Sequence, residues 1–457
     1  MERWFEQADI NTCIIILQKC SDKKEREENL VRFVYLKKSL RNFIPPAQDI
    51  WEKQVERLNA IEKLKKTILA HNDFYENEEL RIFPKSQKEL WEEGLEDVAS
   101  TWTKKESGGL KTSATEQKYV GAKWGKYLRA PQIFFKILEK GKGKLVPLKQ
   151  VAKVRFGIKT GANEFFYLTE EEIKQKGIEK EFWMHKDKKR NWVPNYVIKS
   201  PRECKSIVVN RKDLKYRVLL IHKDKNDLKG LRVLKYIEDG ERKKFHKRPT
   251  CESRERWYEL PEITDYILCM MSINNRHIFW LNTEGCFIDA RLYGIKSKKI
   301  SERILTFILN SSLTCLLVEL YGRLNLGEGA LDVKVYEYAN IVIPNPRLVG
   351  DGRSKILKEF LSSKIGSVFE ELGASSPEEV SLDKVKPERR ELDKIIMGEI
   401  LGLTDEEQLE VYKAVVDLVK SRIEKAKSVG MNNKMVEGVN IYGIRRVVMD
   451  NLLRDGE

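Results

Sequence analysis

Apolar residues change rhythm twice along this chain. From Ile50 to Leu69, the positions Trp51, Val55, Leu58, Ile61, Leu64 and Ile68 recur at spacings of three and four. That is the period of one helix face, and Asp49 with Glu52 stands where a capping pair would open such a helix. Between about 147 and 345 the apolar runs become short and are separated by Gly, Pro and Asn: Tyr196–Ile198, Ser206–Val209, Tyr216–Ile221, His277–Leu281 and Val333–Ile343. Runs of that length bounded by turn residues predict strands. After Pro346 the helical period returns. Thr404 and Glu407 form a capping box before Leu409, Tyr412, Val415, Val416, Val419 and Ile423. Lys420, Arg422, Lys425 and Lys427 are expected in the last turn of that helix, where the dipole favours cations. The fold class expected is therefore mixed α/β.

Two further stretches shape the expectation. Ile10–Leu17 and Leu30–Leu36, joined by a polar loop, predict a β-hairpin, which is marginal alone and needs a sheet to join. Ile304–Tyr321 is the longest apolar stretch, but Asn310, Ser311, Ser312, Thr314 and Glu319 interrupt it, so it reads as a buried helix rather than a membrane span. Residues 72–123 mix charge and aromatics without a clear period. At 457 residues the chain exceeds what one core normally serves, and two or three domains are expected.

Lys and Arg outnumber Asp and Glu by 85 to 70, a net charge of +15. The excess is local: residues 151–250 hold 27 basic and 14 acidic side chains, whereas residues 251–350 hold 11 and 12. A concentrated positive field favours a polyanionic partner, although a Lys-rich solvated surface gives the same composition. The seven cysteines at 13, 20, 204, 251, 269, 286 and 315 form no Cys-x-x-Cys pair, so structural zinc is not expected and free thiols of a cytoplasmic protein are. Met1 is followed by Glu2, Arg3 and Trp4, not by the basic start and apolar run of a signal peptide.

The run FGIKTGANEFFYL at 156–168 is the most distinctive. It predicts a strand ending near Arg155, a loop framed by Gly157 and Gly161 that carries Lys159, Thr160 and Asn163, and then an aromatic strand. Glycine lets a backbone approach a ligand closely, and Lys, Thr and Asn side chains contact phosphates or base edges. In the same run Phe165, Phe166 and Tyr167 suit a core. A second basic stretch contains Lys243, Lys244, Lys247, Arg248, Arg254, Arg256, Trp257 and Tyr258. Its cations suit phosphate or guanine, and its two aromatics either wedge into a distorted step or anchor the core. Further on, Arg323 and Asn325 flank a glycine turn, with Lys334 beyond it.

These motifs resemble a family. WGKYLRAP at 124–131, GIKTGANEFFYL at 157–168, RPTCESRERWYEL at 248–260 and ELYGRLNLGEGALDVKVYE at 319–337 are similar, in this order, to adenine-specific DNA methyltransferases of type IIG restriction-modification systems. PERRELDKII at 387–396 and VYKAVVDLVKSRIEKAKSV at 411–429 extend the resemblance. The region corresponds to the C-terminal part with a TaqI-like specificity domain. The resemblance implies the last strands of a class I methyltransferase sheet at 1–45, a connector at 46–146, a mixed α/β target-recognition domain at 147–346 and a helical region at 347–457. RWFEQADINTCIIILQK at 3–19 looks like the end of a catalytic domain, whose upstream half is then absent.

Methyl transfer to adenine in this family needs S-adenosylmethionine and a tetrapeptide of Asn or Asp, Pro, Pro, and Tyr or Phe that holds the flipped base. Pro45-Pro46 lies between Ile44 and Ala47, and VPNY at 193–196 has the wrong order. Gly327-Glu328-Gly329 is not expected to be a cofactor loop, because such a loop joins a strand to a following helix. The expectation is a DNA-reading module without cofactor of its own, acting on double-stranded DNA with a catalytic methyltransferase partner that binds S-adenosylmethionine. Two alternatives stay open: an autonomous specificity subunit of a restriction complex, and a nuclease using Asp332 and Lys334.

Overall fold

The computed structural model describes residues 15–46, 52–97, 117–119, 124–187, 189–324, 329–350 and 354–436. The chain divides into two units, residues 1–130 and 131–457.

In the first unit Leu30–Leu36 is a strand, as expected, but its partner is not Ile10–Leu17. It pairs antiparallel with Leu80–Ser86, which also pairs with Tyr75–Glu76. Ile15, Ile16 and Leu17 belong to no strand and are exposed, while residues 10–14 lie outside the described residues. The true partner is hard to see in the sequence because Leu80–Ser86 sits in the stretch without visible period. Only its first residues are buried, and Pro84 interrupts the pattern. Tyr127 stacks on Phe83 with centroids 4.9 Å apart, and Glu93 pairs with Lys85 and Lys126. The expected helix at 50–69 begins later, at Gln54–Ala70, with Lys53 at its N-cap in the left-handed region and no side-chain cap. Asp49 lies outside the described residues.

The second unit is built on two four-stranded sheets. One is antiparallel and runs in the order Phe279–Leu281, Ile267–Met270, Leu292–Ser297, Ala152–Phe156. The other runs Phe287–Ile288, Tyr196–Ile198, Tyr216–Val218, Tyr167–Leu168, with its first pair parallel. Trp280, Tyr293, Phe307 and Tyr338 are among the fully buried side chains of this unit. This confirms the mixed α/β class.

Three strand expectations are corrected. Ser206–Val209 contributes only an isolated bridge from Val208 to Leu281. Phe165 and Phe166 lie in a helical turn, Asn163–Phe166, before the short strand Tyr167–Leu168. Val333–Ile343 contains the helix Val335–Asn340, because Glu337 turns back to accept the Lys334 backbone N–H at 2.8 Å and so starts a helix. The stretch Ile304–Tyr321 is two helices, Glu302–Leu309 and Ser312–Tyr321, bent by 69°. Asn310 breaks it by pairing its side-chain amide with both backbone groups of Phe279 at 2.9 Å, and Ser311 caps the next helix through the Thr314 N–H. Among the described residues no single helix is long and apolar enough to cross a membrane.

The predicted capping box at Thr404 and Glu407 is present: the Thr404 N–H meets Glu407 Oε2 at 2.9 Å and the Glu407 N–H meets Thr404 Oγ1 at 3.3 Å. The helix it opens, Asp405–Val436, continues well past the expected end. Arg422 is therefore not a terminal cation but a buried one, paired with Glu319.

Candidate nucleic-acid interface

The glycine-framed loop and the basic stretch, about 90 residues apart in sequence, fold against each other. Ala152–Phe156 forms an edge strand, paired with Leu292–Ser297, and hands the chain to the loop. The glycines serve the chain itself. A Cβ on Gly157 would lie 2.3 Å from the Asp289 carbonyl oxygen, so only glycine lets the loop cross that strand end. Gly161 has φ +76°, and a Cβ there would meet Cys251 Sγ at 2.9 Å.

Arginines strap the loop down from the other side. Arg248 donates to the Gly161 carbonyl at 3.2 Å and pairs with Glu164 at 2.6 Å. The hydrogen bond from Arg248 holds the Glu164 carboxyl below the usual range. Arg254 donates to the carbonyls of Lys159 and, at 3.1 Å, Trp257. Burial lowers the Arg254 pKa, which marks it as a partly enclosed strut.

Trp257 and Tyr258 take the core alternative. Both are buried; Trp257 packs on Phe165 with centroids 4.7 Å apart and donates its indole N–H to Glu241 at 2.9 Å. The Tyr258 hydroxyl reaches the Lys223 carbonyl at 3.2 Å. Thr160 is buried too, with its hydroxyl on Asn163 Oδ1.

What this frame leaves outward is cationic. Lys159 is exposed, and its ammonium stands 4.1 Å from the centroid of the Phe156 ring, itself 38% exposed. Lys243, Lys244 and Lys247 are exposed where the helix Arg232–Arg242 ends, and Lys244 takes the left-handed conformation at φ 61°. Among the described residues these four lysines have no acidic partner. Arg256 differs: it is neutralised by Asp224 at 3.0 Å and Glu259 at 2.8 Å. Arg155 is held by Asp265 through two hydrogen bonds of 2.7 Å.

The other predicted residues lie beside the same edge strand, because the helix Val335–Asn340 packs against Ala152–Phe156. Arg323 pairs with Glu337 at 2.8 Å and donates to the Tyr336 hydroxyl. Tyr336 is 47% exposed. Lys334 is half-buried at the start of that helix, and Asn325 lies outside the described residues. Sequence reasoning missed Phe156 and Tyr336. Phe156 has the inward parity of Ala152 and Val154 yet is exposed at the strand end, so alternation would have placed it in the core and gave no signal for it.

Gly329 lies between the antiparallel strands Arg323–Leu324 and Leu331–Asp332, and its carbonyl accepts from Arg422. Gly327 and Glu328 lie outside the described residues. Around Asp332, among the described residues, no three His, Cys, Asp or Glu side chains are grouped to hold a metal ion.

Residues 121–373 match the family model for the C-terminal domain of the type II methyltransferase M.Eco57I. No curated protein sequence matches the chain. Among solved structures the chain is similar to the type IIG restriction endonuclease BpuSI, with TM-score 0.44 and 10% identity over 88% of this chain and 48% of that one. It is also similar to the type IIL restriction-modification enzyme MmeI in complex with DNA, with TM-score 0.40 and 14% identity over 60% of this chain and 36% of that one. The chain thus spans about half the length of the first and about a third of the second.

Proposed function

The chain belongs to the family of the C-terminal domain of the type II methyltransferase M.Eco57I, and from that membership we propose that it is the DNA-reading part of an N6-adenine methyltransferase of a restriction-modification system. The observation that carries this reading is the convergence of the glycine-framed loop with the basic stretch, which leaves Lys159, Lys243, Lys244 and Lys247 exposed and, among the described residues, without acidic partners.

In this reading the lysines neutralise backbone phosphates and set the register of the duplex. Asn163 and Arg323 are the candidates for base edges, and Phe156 and Tyr336 supply exposed aromatic faces. Arg155, Arg248 and Arg254 act by holding strand and loop in place, since their guanidinium groups already engage Asp265, Glu164 and backbone carbonyls. Methyl transfer is carried out by a half that binds S-adenosylmethionine and bears the adenine-holding tetrapeptide, contributed by residues other than these 457.

The test is a binding titration with duplex DNA between about 50 and 200 mM salt, where several phosphate contacts make affinity fall about 10³-fold or more. Incubation of the pure chain with labelled S-adenosylmethionine and mixed-sequence DNA is expected to transfer no label. Absence of duplex binding at low salt, or reproducible methyl incorporation, would sink this reading.

A further inference from the structure

A second cationic element lies apart from the glycine-framed loop and the 243–258 basic stretch. Met184–Lys186 and Trp192–Pro194 form a two-stranded antiparallel ribbon that joins no larger sheet. Its base is fixed: Asn195 is buried, its side-chain oxygen stands 2.9 Å from His185 Nδ1, and its backbone N–H donates to the Trp183 carbonyl at 2.7 Å. Its far end is exposed and basic: Lys186, Lys189 and Arg190 are all in solvent, and among the described residues Lys186 and Arg190 have no acidic partner, while Asp187 lies within charge range of Lys189.

The acids nearby have backbone or other side-chain partners. Asp187 accepts the N–H groups of Lys189 and Asn191 at 2.8 Å and so builds the turn, while Glu181 pairs with Lys223 at 2.8 Å. Trp192 is 40% exposed at the end of the ribbon, with the ammonium groups of Lys180 and Lys186 at 5.1 and 5.5 Å from its ring centroid.

One residue departs from what folding alone would select. Arg190 has φ 64°, the left-handed position of a hairpin turn that glycine fills without steric cost. A long cation kept in a strained conformation at the tip of an anchored ribbon points to function. Resting on the DNA-reading assignment, we propose that this ribbon is a second duplex-contacting element. Lys186, Lys189 and Arg190 grip phosphates, and Trp192 stacks on or wedges at a base step. A two-stranded ribbon fits the major groove, and charge complementarity favours DNA over an acidic polypeptide, whose carboxylates lack the faces an exposed indole stacks on.

The test compares the full chain with Arg190→Gly, Trp192→Ala and the double variant Lys186→Ala/Lys189→Ala, by duplex binding across salt concentrations and by thermal melting. Arg190→Gly removes the cation and relieves the backbone, so its Tm is expected to hold or rise while affinity falls several-fold. The log–log salt slope should shrink by about one unit for Arg190→Gly and about two for the double variant. Trp192→Ala should lower affinity about tenfold with the slope unchanged, and Trp192→Phe should restore part of it. Wild-type affinity in Arg190→Gly and Trp192→Ala, with the parent chain binding duplex, would overturn the ribbon alone. Failure of the parent chain to bind duplex would overturn the underlying reading as well. Equal losses toward duplex and toward polyglutamate would also overturn the ribbon's assignment to DNA.

Discussion

Arg422 meets Glu319 across 103 residues of sequence, Nη2 to Oε1 at 2.7 Å and Nε to Oε2 at 3.2 Å, and the two side chains are only 2% and 1% exposed. His277 Nε2 completes the cluster at 2.7 Å from Glu319, and Arg422 also donates to the carbonyls of Ile273, Asn274 and Gly329. The long C-terminal helix is thereby tied to the strand ends beside the candidate interface. Removing one member of a buried pair leaves the other charge uncompensated, which costs about 3–5 kcal/mol. Arg422→Met is expected to destabilise the second unit by that amount in urea unfolding, and a loss below about 1 kcal/mol would show that the cluster is not holding the helix.

The same cluster sets an acid dependence. Burial pushes the Glu319 carboxyl upward, but the hydrogen bond and charge of His277 and the charge of Arg422 outweigh it, so the net shift is below the ordinary value. A folded-state pKa depressed below the unfolded one stabilises the native state above the unfolded value of about 4.3. That stability is lost as pH falls through the folded value. Glu371, beside Arg389 and Lys386, is shifted the same way. Unfolding measured at about pH 6 and about pH 3.5 should therefore show a clear drop for the parent chain and a smaller one for Glu319→Gln, which starts less stable. An equal drop in both would remove Glu319 from the account.

Gly157→Ala tests whether the loop glycines serve the chain or a ligand. The added Cβ would lie 2.3 Å from the Asp289 carbonyl oxygen and 2.6 Å from that of Ile288, and both are backbone atoms that cannot step aside. A loss of about 1–3 kcal/mol is expected from the forced shift, with weakened DNA binding as its consequence. Unchanged stability with weakened binding would instead return Gly157 to the ligand-approach role expected from sequence.

How much was legible follows from where each signal lies. The capping box at Thr404 and Glu407 was readable because it is local, two side chains three positions apart with one geometry. The partner of Leu30–Leu36 was not, since Leu80–Ser86 carries Pro84 and no alternating pattern. Trp257 suits surface and core equally by sequence. Its place is decided by Gly240, where a Cβ would come within 2.7 Å of the Trp257 ring, a proximity no pattern within either segment reveals. The basic character of residues 151–250 was plain in composition. Which of those cations remain unpaired was not, because Glu164, Asp224 and Asp265 reach their arginines only through the fold.

Arg254 and Lys159 separate a strut from an outward-facing cation. Sequence suits both to phosphates or base edges, but Arg254 donates to the carbonyls of Lys159 and Trp257, while the Lys159 ammonium is exposed over Phe156. Arg254→Ala is expected to cost about 1–3 kcal/mol of stability through two unsatisfied carbonyls and to weaken all duplexes alike. Lys159→Ala should leave unfolding unchanged. If Arg254→Ala kept full stability and changed the preferred sequence, the strut assignment would be wrong.

Charge and readout can be told apart by substitution. Lys243 and Lys244 stand exposed at the end of the helix Arg232–Arg242 with no acidic partner among the described residues. An ammonium at a phosphate acts without regard to sequence, so Lys243→Ala/Lys244→Ala should lower affinity uniformly and reduce the salt slope by about two units. Asn163 and Arg323 sit differently, Asn163 on the glycine-framed loop and Arg323 held by Glu337 beside exposed Tyr336. Substituting either by Ala should change preference among sequences by about 1–3 kcal/mol for each base-edge hydrogen-bond pair removed, read as a shift in selected sites from a randomised duplex pool. Should both variants select the parental sequence while remaining folded, base readout would have to move to other residues, and the lysine result would stand on its own.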